Sequence, residues 1–384
     1  MTDIGVVGIG CIPYGKYTEK RSTDLFIEAS VKAFEDAGIS PTDVDAVYFG
    51  NFLSIATEEQ GHQGQIISSA LGVPEIPTIT IENACASGGM AFRQACLAVE
   101  SGAYDLVLVG GAEIMTHVPT PEIMNGLAMA SEGAYEKKLG LTFPGLYALI
   151  ALAHMEKHGT TSEQLASVAV KNHRNAAYNP TAQFQREISL EKALNSPMIA
   201  EPLRLFDCCP ITDGASAVII GSKDRIKSFE DPVWITGAGQ ASDFSCVHER
   251  EDITAIRPGE IAAKQAYKSA RISEKDVDLA EVHDCFTIAE IIATEGLGFF
   301  GRGGGGRGVE EGETVIGGRI PVNTSGGLKA KGHPVGATGV GQVVEAVEQL
   351  RGEAGKRQVE GAETALTHNV GGSGSSAVVH IFQR

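Results

Sequence analysis

Ala33-Phe34-Glu35-Asp36-Ala37-Gly38-Ile39-Ser40-Pro41-Thr42-Asp43-Val44-Asp45 has a counterpart later in the chain. It is Ala266-Tyr267-Lys268-Ser269-Ala270-Arg271-Ile272-Ser273-Glu274-Lys275-Asp276-Val277-Asp278, aligned without a gap. Each copy ends a helical pattern, turns, and enters a short apolar run. That run is Ala46-Val47-Tyr48-Phe49 in the first copy and Leu279-Ala280-Glu281-Val282 in the second. Working outward, residues 4–10 resemble residues 233–239. Residues 102–111 resemble residues from Gly361 to His368, with Gly102 set against Gly361. Residues 83–89 have a shorter echo at 323–327. Four pairs in matching order argue for a duplicated unit. Short apolar runs alternating with helical patterns predict α/β layers.

The duplication divides the chain. Residues 1–118 form the first half and 231–384 the second. Residues 119–216 read as an insertion, and 217–230 return to the first half through the strand-like Ala217-Val218-Ile219-Ile220. The insertion carries amphipathic helical patterns over 145–158 and 162–177. Gly301-Arg302-Gly303-Gly304-Gly305-Gly306-Arg307-Gly308 is too glycine-rich to favour regular structure, and a mobile surface loop is expected there.

Composition narrows the function. The 384 residues are 43% hydrophobic and 21% charged, enough for a large core. A formal net charge of −17 argues against a nucleic-acid platform and against binding to an anionic membrane. An anionic small ligand remains compatible with it, because such a ligand needs only a local basic patch. No apolar run approaches the ~20 residues that span a bilayer. The N-terminus lacks the basic region of a signal peptide. The seven cysteines are odd in number and include no C-x-x-C pair, so neither a disulfide framework nor a zinc site is suggested. A reducing cytoplasm fits best.

Cys85 is the residue best placed for chemistry. It lies in Glu82-Asn83-Ala84-Cys85-Ala86-Ser87-Gly88-Gly89-Met90-Ala91, between a β-branched run at 76–81 and a helical pattern through Phe92, Ala95, Leu97 and Val99. Helix-end N–H groups favour a thiolate, so a lowered pKa is expected. Taken alone, the segment fits a nucleophile or a buried structural cysteine equally well. Reactive groups recur in Glu281-Val282-His283-Asp284-Cys285-Phe286 and in the glycine-rich stretch 323–339 that contains Gly332-His333-Pro334. They recur again in His368-Asn369-Val370-Gly371-Gly372-Ser373-Gly374.

Together these segments resemble the thiolase superfamily over nearly the whole chain. The His283-Asp284-Cys285-Phe286 form is similar to that of sterol-carrier-protein-type and archaeal thiolases. The NEAF-like segment and C-terminal cysteine motif of other members are lacking, and Asn369 or His368 stands where those members place the cysteine. The resemblance implies an α/β thiolase fold, with two similar halves in five layers (α-β-α-β-α) and an inserted loop domain that contacts coenzyme A. It implies Cys85 as nucleophile, His333 as its base and Cys285 as the group handling the α-proton. His283 would stabilise an oxyanion with His333, and the N–H groups of Cys85 and Gly371 would form a second oxyanion hole. The activity implied is acetyl-CoA C-acetyltransferase, joining two acetyl-CoA at the head of the mevalonate pathway. The alternative is a degradative 3-oxoacyl-CoA thiolase for a bulkier or aromatic chain. Either would work with a small zinc-ribbon/OB-fold partner, the former also with HMG-CoA synthase. Coenzyme A enters as substrate, with no covalently bound cofactor and no metal. A homodimer or dimer of dimers is expected. A decarboxylating ketosynthase would use Cys85, His283 and His333 but has no need of Cys285. Retention of all four reactive groups argues against a non-catalytic scaffold.

Three lookalikes read otherwise. Gly8-Ile9-Gly10 lacks the third glycine of a dinucleotide fingerprint, with Pro13 in its place, and reads as a strand-end turn. His154 and His158 share a helix face without a third ligand and read as surface or pocket-wall residues. Cys208-Cys209 reads as a loop beside the active site without chemistry.

Overall fold

The computed structural model describes residues 3–384. The first half contributes strands β1 (Ile4–Cys11), β2 (Ala46–Gly50), β3 (Thr78–Ile81), β4 (Leu106–Glu113) and β5 (Gly214–Ser222). The second contributes β6 (Val233–Ser242), β7 (Leu279–Val282), β8 (Thr364–Gly371) and β9 (Ser376–Gln383). They form one sheet in the order β3-β2-β4-β5-β1-β6-β9-β8-β7. The order is its own mirror about the β1/β6 seam: β2-β4-β5-β1 on one side answers β7-β8-β9-β6 on the other. Orientations match as well. β2 pairs parallel with β4, as β7 does with β8, and the other pairs within these four-strand sets are antiparallel. The seam holds by Gly5 opposite Trp234 and Val6 opposite Val233. The counterpart of β3 has shrunk to a single bridge between Ala280 and Val322.

Five layers follow from where the helices pack. Helix α1 (Ser22–Ala37) buries Leu25, Phe26, Ala29, Ala33 and Phe34 against the outer face of the first half-sheet. Helices α2 (Ser87–Glu100) and α7 (Thr338–Arg351) lie between the half-sheets. There Phe92, Val340, Val343 and Val347 share one core with β-strand residues of both halves. Helix α5 (Arg257–Ala270) covers the far face through Ala262, Ala263 and Ala266. Gly8 and Gly10 lie inside β1, correcting the turn reading. A Cβ on either would collide with carbonyls of α1, and Gly237 and Gly239 stand likewise against α5. These glycines let helix and sheet backbones touch.

The duplicated turns keep the same bonds. The Ser40 N–H and hydroxyl donate to Asp43 at 2.8 and 2.9 Å, and those of Ser273 donate to Asp276 at 2.8 Å each. Asp45 accepts from the N–H groups of Asp105 and Leu106, as Asp278 does from those of Glu363 and Thr364. Gly102 and Gly361 both occupy left-handed turns at φ 76° and 72°. The second copy has one residue fewer between that turn and its strand. Ala46 therefore pairs with Val107, whereas Leu279 pairs with Ala365, a one-residue correction to the sequence alignment.

Between β4 and β5 run helices α3 (Phe143–His158) and α4 (Ser162–Ala176). Thr142 and Thr161 cap them, accepting from the N–H groups of Gly145 and Gln164. His154 is wholly buried, not at a surface or pocket wall; its ring bonds Thr160 and Glu295 at 2.7 and 3.3 Å. The glycine-rich segment is packed, not a mobile loop. It forms a short helix at Gly305–Glu310, and a Cβ on Gly308 would collide with Phe300. Among the described residues no helix is long and apolar enough to cross a membrane.

Candidate active site

The groups singled out in the sequence meet at the C-terminal ends of the strands. Cys85 sits between β3 and α2, on a turn with Ala84 left-handed at φ 46°. The Ser87 hydroxyl holds this turn, accepting from the Asn83 N–H (2.8 Å) and donating to the Ala84 carbonyl (2.7 Å). His283 and Cys285 follow β7 and precede helix α6 (Thr287–Gly296). Between them, the Asp284 carboxylate accepts from the N–H groups of Leu328 (2.6 Å) and Lys329 (3.2 Å) and from Asn172 Nδ2 (2.7 Å). It thereby anchors the glycine-rich loop that carries His333. The His333 N–H donates to Thr212 Oγ1 at 3.1 Å, and its Nδ1 lies 2.6 Å from Thr338 Oγ1.

One ligand atom each from Cys85, His283 and His333 lies within 4.8 Å of the others. The two imidazoles meet edge to face, with centroids 5.1 Å apart at 85°. The Tyr147 hydroxyl donates to the Gly372 carbonyl at 3.5 Å, and the Tyr147 ring stacks on Phe286 at 4.6 Å. Gly372 lines the same cavity as Cys85, and its N–H and that of Cys85 pull the Cys85 thiol pKa down. Gly371 closes β8 opposite Ser376, and the next residue, Gly372, is the one on the cavity wall.

The electrostatics also correct the sequence reading. Burial, then Cys209 and Glu113, pushes the Cys85 thiol up to about 12, against the pull of the Gly372 and Cys85 N–H groups. Complete desolvation outweighs the helix terminus. Burial, then the Cys85 thiol, holds Cys285 well above the ordinary range. Burial lowers His333 to about 3, and burial with neighbouring His333 and His368 puts His283 well below its usual value. Burial thus favours two thiols and two neutral imidazoles in the resting site. A raised thiol pKa leaves little thiolate near neutrality. Carbamidomethylation of Cys85 should therefore rise with pH through 10 without levelling off above 8.5; a plateau near 8 in peptide-mapped rates would contradict this.

The two thiols and His333 open into a cavity of about 440 Å³. Cys85, Cys285, His333 and Gly372 line it, and Met124, Leu127, Phe143, Ile199 and Leu205 from the segment between β4 and β5 add an apolar wall. Cys208 and Cys209 line it too, and the Cys209 N–H donates to the Cys285 carbonyl at 3.0 Å. Among the described residues a second three-ligand set exists at Glu136, Cys246 and His248. Glu136 there already accepts from the N–H groups of Val247 and Glu132, at 2.8 and 3.3 Å.

Family comparison agrees with the geometry. The thiolase N-terminal domain model matches residues 4–224, and the thiolase C-terminal domain-like model matches residues 239–384. The chain belongs to the thiolase family. This thiolase is 49% identical over 387 residues to an acetyl-CoA acetyltransferase of Methanothermobacter thermautotrophicus, covering all of both chains. It is 43% identical over 390 residues to an acetyl-CoA acetyltransferase of Methanocaldococcus jannaschii, covering 100% of this chain and 99% of the relative. Among solved structures, the Ltp2-ChsH2(DUF35) aldolase matches with a TM-score of 0.85 at 27% identity, covering 100% of this chain and 98% of the other.

Sequence reasoning missed several residues of this thiolase's site. Tyr147 falls within the helical pattern over 145–158, where nothing in the sequence marks it out. Glu113 ends β4, fully buried, and accepts from Asn51 Nδ2 and from the N–H groups of Leu53, Phe52 and Gly336 at 2.9–3.1 Å. Burial raises its carboxyl to about 8 against those backbone donors. Its charge in a strand-end Gly-Gly-Ala-Glu run is the one signal the sequence offered. Asn369 stood in a quoted motif, but its partners belong to other segments.

Proposed function

We propose that this thiolase is an acetyl-CoA C-acetyltransferase, converting two acetyl-CoA to acetoacetyl-CoA and coenzyme A. The observation that carries the reading is the meeting of Cys85, His283 and His333 within 4.8 Å, with the Cys285 thiol lining the same cavity as Cys85 and His333. The 49% and 43% identical relatives named acetyl-CoA acetyltransferase support the substrate.

In this reading Cys85 attacks the first thioester while His333 takes its proton. The N–H groups of Gly372 and Cys85 receive the oxyanion. The C–S bond to coenzyme A breaks, and the departing thiolate takes the Cys285 proton. This leaves acetyl-Cys85, an imidazolium on His333 and a thiolate on Cys285. The Cys285 thiolate then removes the α-proton of a second acetyl-CoA, and His283 hydrogen-bonds the enolate oxygen. The carbanion attacks acetyl-Cys85, and the released Cys85 thiolate regains its proton from His333. Every proton is returned, and no prosthetic group is required.

A cytoplasmic location fits the reduced thiols. Strand β3 ends the sheet with Ile79 44% exposed, an edge that supports pairing with a second copy in a homodimer or dimer of dimers. The two-component name of the aldolase neighbour supports a partner protein. We take that partner to be a small zinc-ribbon/OB-fold protein, with HMG-CoA synthase as consumer of the product. The test is thiolysis of acetoacetyl-CoA by free coenzyme A. Brisk turnover is expected. If acetoacetyl-CoA is inert while 3-oxoacyl-CoAs with bulky apolar chains turn over, the apolar cavity serves a degradative thiolase instead.

A further inference from the structure

The hydrogen bonds behind the two site histidines fix where each ring carries its proton. Asn369 bridges the halves. Its Nδ2 donates to the Cys85 carbonyl at 3.2 Å, and its Oδ1 accepts from the Gly89 N–H at 3.3 Å. Those two backbone partners leave the carboxamide one orientation, because a flipped amide would face donor to donor and acceptor to acceptor. The same Nδ2 lies 3.0 Å from His283 Nδ1. Facing a donor, Nδ1 must accept. A neutral imidazole carries one N–H, so that proton sits on Nε2.

His333 is set the opposite way. The Thr338 hydroxyl has one proton and donates it to the Pro334 carbonyl at 3.0 Å. Its oxygen therefore accepts from His333 Nδ1 at 2.6 Å, and Nε2 keeps a lone pair. Both Nε2 atoms are buried with no protein partner. They are the ring atoms left for a ligand.

We propose that Asn369 and Thr338 are positioning residues that hold His283 and His333 in opposite tautomers, so that one ring presents an N–H to a substrate oxygen while the other presents a base to Cys85. The inference rests on the thiolase reading for what the two atoms do, but not for which of them is protonated. It assigns work to Asn369, one of the two residues, with His368, that the sequence sets where other thiolases carry a cysteine. An amide there reaches across from β8 and sets the ring that follows β7.

Two measurements test it on the full-length enzyme. In the wild type labelled with ¹⁵N-histidine, one-bond N–H coupling is expected on Nε2 of His283 and on Nδ1 of His333. A proton on Nδ1 of His283 or Nε2 of His333 overturns the assignment, whatever the activity. The second uses Asn369→Asp, which replaces the donor by an acceptor and draws the His283 proton to Nδ1. Loss of one oxyanion donor predicts a fall of about 100-fold in condensation kcat. Exchange of labelled coenzyme A into acetyl-CoA, which needs only the Cys85 half-reaction, should fall much less than condensation: the substitution removes the bond to the Cys85 carbonyl in both reactions, but the oxyanion donor on His283 is lost to condensation alone. Equal losses in both would make Asn369 structural only and overturn its positioning role. If the wild type turns over no acyl-CoA, the functional reading fails, and the coupling pattern still decides the tautomers.

Discussion

Cys85→Ala should remove covalent acylation entirely and lower turnover by on the order of 10⁶-fold, as loss of a nucleophile does when catalytic groups act as a unit. Its neighbour should behave differently. Cys285→Ala should still become acetylated at Cys85, while overall turnover falls about 10²–10⁴-fold, the usual worth of a positioned acid or base. The contrast follows from geometry. His333 still takes the Cys85 proton and, with Cys285 gone, can pass it to the departing coenzyme A thiolate, and the backbone donors of Gly372 and Cys85 remain in place. Forming the carbanion, however, needs a thiolate beside the acylated sulfur. Intact-mass measurement after incubation with acetyl-CoA reads the first effect, and thiolysis of acetoacetyl-CoA reads the second. A Cys285→Ala enzyme with near wild-type turnover would defeat the two-thiol scheme. Acetylation persisting in Cys85→Ala would place the nucleophile elsewhere.

Glu113→Ala should cost a large share of the protein's stability and lower its thermal midpoint. Three backbone N–H groups, those of Phe52, Leu53 and Gly336, would lose their acceptor inside the protein. Each orphaned donor costs about 1–3 kcal/mol, so the sum is about 3–9 kcal/mol. Whole domains have only about 5–15 kcal/mol to lose. The loop that carries His333 would come free with them, since Gly336 belongs to it. The effect has a pH signature. The folded state raises this carboxyl from an ordinary 4.5 to about 8, so it binds the proton more tightly than the unfolded chain does. Wild-type stability from this group is therefore greatest below 4.5 and declines as pH rises toward 8, whereas the alanine variant has no such slope. The gap in thermal midpoint between wild type and variant should narrow from pH 5 to pH 8. A gap that widens would put the carboxyl's pKa below its ordinary value.

The fold was legible because duplication writes the same instruction twice. Ser40 and Asp43 make sense as a turn on their own. Finding Ser273 and Asp276 at the same spacing before a second apolar run turned that turn into half of a symmetric sheet. The four reactive side chains were legible from their motifs. What stayed hidden depends on contacts between distant segments. A helix terminus raises the expectation of a thiolate at Cys85, but its depth of burial is a property of the assembled layers. That Gly372 follows the end of β8 and lines the cavity is a matter of where a hairpin turns. The partners of Asn369 and Glu113 come from segments far along the chain, with Gly336 more than two hundred residues from Glu113. The glycine-rich tract misled because its composition suits a free loop, while its packing against Phe300 requires missing side chains.

The cavity draws its two ends from different parts of the chain. Its floor is built from strand ends and their loops, and its wall from side chains of the segment between β4 and β5. Met124, Leu127, Ile199 and Leu205 touch no proton that moves, so an ancestor could exchange them one at a time and accept a longer acyl chain without relearning its chemistry. The same catalyst can thus be handed from one metabolic task to another by rewriting a lining, and the identity of the substrate becomes a property of the most replaceable part of the molecule.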